Sequence, residues 1–123
     1  MKNKMVFVCL MAAVLSAAFF ACSKAPEKYK VTIIEKFDAH CGSCTLMNPI
    51  IAQVEKKYKG QVKVIKYDLG IPEDYEASKK YNIDRIPAFI FLDENGNEFF
   101  RNAGVMDLVQ IENQLKLQGV NVK

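Results

Sequence analysis

The chain is poor in the residues that staple or ligate: among its 123 residues there are four cysteines, one histidine and no tryptophan. A closed zinc site takes four ligands. Beyond one close cysteine pair, Cys41 and Cys44, and the two cysteines that bound or lie in the apolar N-terminal run, Cys9 and Cys22, the chain offers only His40, whose place beside Cys41 would force three ligands out of a single pentapeptide. Haem attachment needs a histidine directly after the second cysteine of such a pair, and Thr45 stands there. Charge of either sign is also scarce in excess, with 17 basic against 14 acidic residues. Without Lys2 and Lys4 the balance falls to +1, and the Lys56-Lys57 and Lys79-Lys80 pairs sit in segments of helical character as solvated faces. No basic surface for nucleic acid or an anionic membrane is implied. There is no internal repeat and no low-complexity tract.

One long apolar run is present, from Met5 to Ala21, preceded by Lys2 and Lys4 and followed by Cys22. At 17 residues it is at the short limit for a membrane span and ends in small residues, which is the pattern of an export signal over residues 1–21. Phe19-Phe20-Ala21-Cys22 resembles a bacterial lipobox, in which the cysteine takes a diacylglyceryl group and becomes the new N-terminus. It departs from the usual pattern at Phe19 and Phe20, and a cut after Ala18 or an uncleaved anchor are the alternatives. On this reading Cys9 leaves with the signal and Cys22 carries lipid, so Cys41 and Cys44 alone remain as thiols. A lone close pair in an exported protein is no disulfide framework, and its loop is too short to constrain much of the unfolded chain.

From Cys22 onward 102 residues remain, enough for one domain with one core. Residues 22–30 read as a lipidated N-terminus and polar linker, and residues 31–123 as the domain. Val31–Phe37 is β-branched and apolar, a strand whose Val31, Ile33, Glu35 and Phe37 share a face. Met47, Ile50, Ile51, Val54 and Tyr58 recur at helical spacing, and Gly60 closes that helix. A second strand covers Val62–Tyr67. Pro72 starts a short helix predicted to carry Ala77 and Tyr81 inward and to end near Asn82. Ala88–Leu92 is an apolar strand, Asn95-Gly96 a hairpin turn, and Glu98–Arg101 the returning strand. Asp107 with Gln110 has the form of a capping box before the stripe Leu108, Ile111 and Leu115. Phe89, Phe91, Phe99 and Phe100 are assigned to the core. The order is βαβαββα, with parallel strands first, joined by helical crossovers, and an antiparallel hairpin after them.

Cys41-Gly42-Ser43-Cys44 follows the first strand and opens a helix, with Pro49 five residues past the second cysteine; Tyr81-Asn82-Ile83-Asp84-Arg85-Ile86-Pro87 precedes the apolar strand, and Gly104 precedes the last helix. Over roughly Val31 to Leu117 the chain resembles the thioredoxin superfamily at these three places. His40 stands where that family usually has tryptophan, Ser43 replaces the proline of its commonest dipeptide, Thr45 replaces a basic residue, and there is no room between Cys22 and Lys30 for the extra N-terminal strand and helix. The resemblance implies a minimal α/β thioredoxin-like fold, with a four-stranded mixed sheet flanked by helices.

It also implies a thiol-disulfide oxidoreductase working through Cys41 and Cys44, with no cofactor and no metal. A free thiol of pKa about 8.5 is only ~3% ionised at pH 7, and unpaired N–H groups at a helix N-terminus would favour the Cys41 thiolate as nucleophile. Cys44 is then the resolving thiol. Glu35, six residues before Cys41, matches the family's buried acid that moves protons to and from the resolving thiol, and its alternation with Ile33 and Phe37 turns it inward. Lys36, where the family usually has an apolar residue, leaves that register open by one. Pro87 matches the family's cis-proline, and the backbone of Ile86 would pair with an extended substrate segment. Two roles are open to His40: lowering the thiolate pKa when protonated, or covering the rim of the site.

The implied partners are protein thiols and disulfides, an electron-donor protein in the membrane, and the membrane itself through the lipid anchor, for a monomer facing the periplasm or cell exterior of a bacterial envelope. The reducing or isomerising direction is favoured over a thiol oxidase. The rivals from other classes are a redox-inert peptide-binding module and a copper-handling protein, for which Met47 and His40 are the neighbouring ligands.

Overall fold

A computed structural model describes residues 27–123, and the segment read as signal, lipidation site and most of the linker lies outside them. The elements run β1 (Val31–Phe37), α1 (Gly42–Lys57), β2 (Val62–Asp68), α2 (Pro72–Ser78), a 3-10 turn (Lys79–Tyr81), β3 (Ala88–Leu92), β4 (Glu98–Ala103) and α3 (Leu108–Leu117). The four strands form one mixed sheet in the order β2-β1-β3-β4. The expected order of elements and the mixed sheet are both present. One expectation needs correction. α1 does connect a parallel pair, with Val31 beside Val62, but the second crossover delivers β3 antiparallel to β1, with Lys36 beside Ala88 and Thr32 beside Leu92. A strand as uniformly apolar as Ala88–Leu92 has the same pattern in either direction, so its pairing partner alone sets its sense.

β1 lies at the centre because both its faces are buried. Val31 and Ile33 enter a core with Met47, Ile51 and Val54 of α1, Phe89 and Phe91 of β3, and Ile111 and Leu115 of α3. Ile34 points the other way and is also fully buried. Phe99 and Phe100 pack partly buried against the core, each meeting Phe91 edge-on. Burial of each such side chain contributes roughly 1.5–3 kcal/mol, so this cluster supplies much of what opposes chain entropy. α3 starts at a complete capping box, in which Asp107 accepts from the Gln110 N–H at 2.7 Å and the Gln110 side chain accepts from the Asp107 N–H at 2.9 Å.

α2 departs from expectation in phase. Ala77 is exposed, Tyr81 is half-buried, and the residue that α2 buries is Ser78. The hydroxyl of Ser78 donates to the Tyr75 carbonyl at 2.9 Å, so it enters the interior already satisfied. The 3-10 turn that follows then winds the chain more tightly, and Asn82 ends it in the left-handed region at φ 46°. Such a change of winding is invisible to a period-3.6 reading.

Candidate active site

Three loops converge at one end of the sheet. β1 leaves it through Asp38, Ala39 and His40 to Cys41. β3 enters it from Pro87, and β4 leaves it at Gly104. The antiparallel pairing of Lys36 with Ala88 and of Ala88 with Ala103 puts these three connections side by side. They are tied together: the Gly104 N–H donates to the Pro87 carbonyl at 2.7 Å, and the Met106 N–H reaches Met47 Sδ on α1 at 3.4 Å. Gly104 sits at φ +114°, a conformation that a side chain would strain. The Ile86–Pro87 peptide bond is cis, and Pro87 is buried while Ile86 is half-buried.

Cys41 is the N-cap of α1. Its sulfur does what a serine or aspartate oxygen does at other helix starts: it accepts from the N–H of the third helical residue, Cys44, at 3.2 Å. The first turn holds no acidic residue, so no carboxylate competes for the positive end of the helix. Cys41 and Cys44 are joined by a disulfide, with Cα atoms 5.2 Å apart. Cys44 is 3% exposed and Cys41 is more open, so an incoming reagent meets Cys41 first.

Ser43 adds a partner that residue spacing did not reveal. Its hydroxyl lies 3.4 Å from Cys41 Sγ, and since a disulfide sulfur carries no proton the hydroxyl is the donor. The signal was present in principle, since Ser43 brings a hydroxyl donor into the first turn behind Cys41. In the family's commonest dipeptide a proline stands there and can donate nothing. Pro49 lies inside α1 and removes one i to i−4 hydrogen bond from the helix.

Glu35 is on the face of β1 that α1 covers, in the row of Val31 and Ile33, and is 2% exposed. Burial pushes its carboxyl pKa up, Lys66 on the neighbouring strand draws it down, and Glu55 adds to the rise. Lys66 is shared, since its ammonium also pairs with Glu55 at 3.4 Å. Lys36 points to the opposite face, which settles the register left open by the sequence. His40 is placed at the rim. Its side chain is 96% exposed, and its Nδ1 and backbone N–H meet Asp38 Oδ1 at 3.3 and 2.7 Å. Cys22, the expected lipidation site, lies outside the described residues. Among those residues no group of three or more His, Cys, Asp or Glu side chains could hold a metal ion, and no helix is long and apolar enough to cross a membrane.

A cysteine pair capping a helix beside a cis-proline, on a sheet of this order, defines a thioredoxin-fold dithiol-disulfide protein. The chain belongs to the thioredoxin family, whose model, described as Thioredoxin, matches residues 13–117. The matched region begins inside the segment read as an export signal. The chain is 37% identical over 70 residues to an H-type thioredoxin of Oryza sativa subsp. indica, covering 57% of this chain and 55% of that one. It is 27% identical over 84 residues to a thiol:disulfide interchange protein TxlA homolog of Synechocystis sp., covering 68% and 47%. The match thus spans about half the length of these curated relatives. Among solved structures, thioredoxin O2 of Arabidopsis thaliana in its oxidized state superposes with a TM-score of 0.62 at 25% identity, over 71% of this chain and 73% of that one.

Proposed function

We propose that this protein is a thiol-disulfide oxidoreductase of the cell envelope, exported and held to the membrane by lipid on Cys22. The observation that carries the activity is Cys41 as the cap of α1, its sulfur facing the Cys44 N–H and the Ser43 hydroxyl. In the reduced protein those donors favour the Cys41 thiolate. The thiolate attacks one sulfur of a substrate disulfide, forming a mixed disulfide and releasing the other sulfur as a thiolate. Cys44, after losing its proton, attacks Cys41 Sγ and restores the internal disulfide. The substrate leaves as a dithiol, two electrons richer. The raised pKa of Glu35 suits it to take the Cys44 proton, directly or through water. Ile86 and Pro87 form the wall along which an extended substrate would lie.

The reducing or isomerising direction is our reading, with electrons supplied by a membrane partner. Gly42 matches reducing members, whereas Ser43 strengthens thiolate stabilisation and so moves the couple towards oxidation. The signal-like segment 1–21 and Cys22 support the membrane tether. Seven residues between Cys22 and Lys30 reach at most about 25 Å. β1 enters the domain from that end, so the Cys41 end of the sheet faces away from the bilayer. The test of the activity is Cys44→Ser in cells: substrates accumulate on Cys41 as mixed disulfides released by dithiothreitol. The oxidoreductase reading fails if none accumulate and the purified wild type neither reduces insulin nor oxidises a thiol peptide.

A further inference from the structure

The loop that leads to Pro87 is gripped from behind by two cations. Lys36 Nζ on β1 donates to the Ile83 carbonyl at 2.7 Å, and Arg101 Nη1 on β4 donates to the carbonyl of Asn82, next in line, at 3.3 Å. These side chains leave the same face of the sheet. Lys36 is paired with Ala88 and Arg101 with Ile90, and directly opposed residues project to one side. They stand on the two strands that flank β3, so the loop feeding β3 is held from both sides. At its far end the same loop is fixed by the hydrogen bond from Gly104 to Pro87.

Apolar packing does not explain this placement. A cavity of about 500 Å³ lies behind the loop, lined by Lys36, Tyr75, Ser78, Lys79, Asn82 and Ile83 among others. Asn82 and Asp84 are exposed and Ile83 only half-buried. Lys36 itself is 5% exposed, a position where an apolar side chain would pack without desolvating a charge. Burial lowers its pKa, and the Asp84 carboxylate offsets part of that. The ammonium kept there against that cost donates to a loop carbonyl 47 residues away.

We propose that Lys36, assisted by Arg101, is a positioning residue for substrate binding, presetting the Ile83–Ile86 segment so that the Ile86 backbone is ready to pair with an extended protein substrate. This rests on the oxidoreductase reading and on the Ile86–Pro87 wall as the substrate site. Neither cation touches the sulfurs. Their loss should therefore weaken binding of long substrates and spare chemistry on short ones.

The test compares full-length wild type, Lys36→Met and Arg101→Gln with insulin and with bis(2-hydroxyethyl) disulfide, electrons coming from dithiothreitol. Lys36→Met should raise KM for insulin about fivefold, the cost of ordering a loosened loop, with kcat changed less than about twofold. The rate with the small disulfide should stay within about twofold, and hydrogen exchange at the amides of Ile83 to Ile86 should quicken. Arg101→Gln, at an exposed site that does not threaten folding, should show the same split in smaller measure. An insulin KM equal to wild type in both variants overturns the proposal, and so does an equal loss on both substrates. A wild type that turns over neither disulfide fails the oxidoreductase reading and takes this proposal with it. A wild type active on both with an unchanged variant KM fails this proposal alone.

Discussion

Ser43→Ala removes one hydroxyl, 3.4 Å from Cys41 Sγ, and leaves the backbone donor from Cys44 in place. A hydrogen bond to a charged acceptor is worth about 1.5–3 kcal/mol, and Ser43 is exposed to competing water, so about 1 kcal/mol is the reasonable share. At 1.36 kcal/mol per unit, the Cys41 thiol pKa should rise by about 0.7. The thiolate fraction of the reduced protein near neutral pH falls accordingly. The same shift destabilises the reduced form by at most about 1 kcal/mol, which lowers the reduction potential by at most about 20 mV. The assay is iodoacetamide alkylation of Cys41 across pH, quantified by peptide mass spectrometry so that Cys9 and Cys22 do not interfere. Ser43→Thr, which keeps the hydroxyl, should titrate like wild type. If the Ser43→Ala midpoint moves by less than about 0.2 units, or moves down, the hydroxyl does not stabilise the thiolate and the reasoning is refuted.

Glu35→Gln should separate stability from turnover. Because the folded pKa of Glu35 is raised, the folded state holds the proton over a window in which the unfolded chain has released it, so stability falls as pH rises through that window. The glutamine variant should therefore gain urea resistance relative to wild type at pH 8 and lose that advantage at pH 4, while insulin turnover drops at least about tenfold. Equal pH profiles for the two proteins would show that the buried carboxyl carries no such penalty. Asp107→Ala breaks both halves of the cap on α3 and should cost about 1 kcal/mol of unfolding free energy, read as a lower urea midpoint at unchanged slope. A loss within a few tenths would mean that solvent replaces the cap.

Much of this arrangement was legible in the residues because local rules and tertiary demands coincide there. β1 and β3 have the predicted bounds, and the α1 stripe, the Asn95-Gly96 turn and the Asp107-Gln110 box all occupy their expected positions. Alternation and the family resemblance point Glu35 to the buried face, with Lys36 leaving the register open by one, and Glu35 is buried there. Other features depend on distant partners. The antiparallel sense of β3 comes from its pairing with β1, and α2 buries Ser78 in place of Ala77 just before the chain tightens into the 3-10 turn. Lys36 disturbed the apolar pattern of β1, but the Ile83 carbonyl that explains it lies 47 residues further on. In the sequence Ser43 is only the absence of the family's proline, whereas in the fold its hydroxyl lies beside a sulfur.

The central claim is that Cys41 is the activated member of a reversible pair. Reducing the full-length protein and alkylating it briefly at about pH 6 with substoichiometric iodoacetamide tests it most directly. The account predicts modification of Cys41, with Cys44 protected by burial, and a rate that titrates well below a free thiol. Preferential labelling of Cys44, or a Cys41 rate that rises only near about pH 8.5, would contradict it.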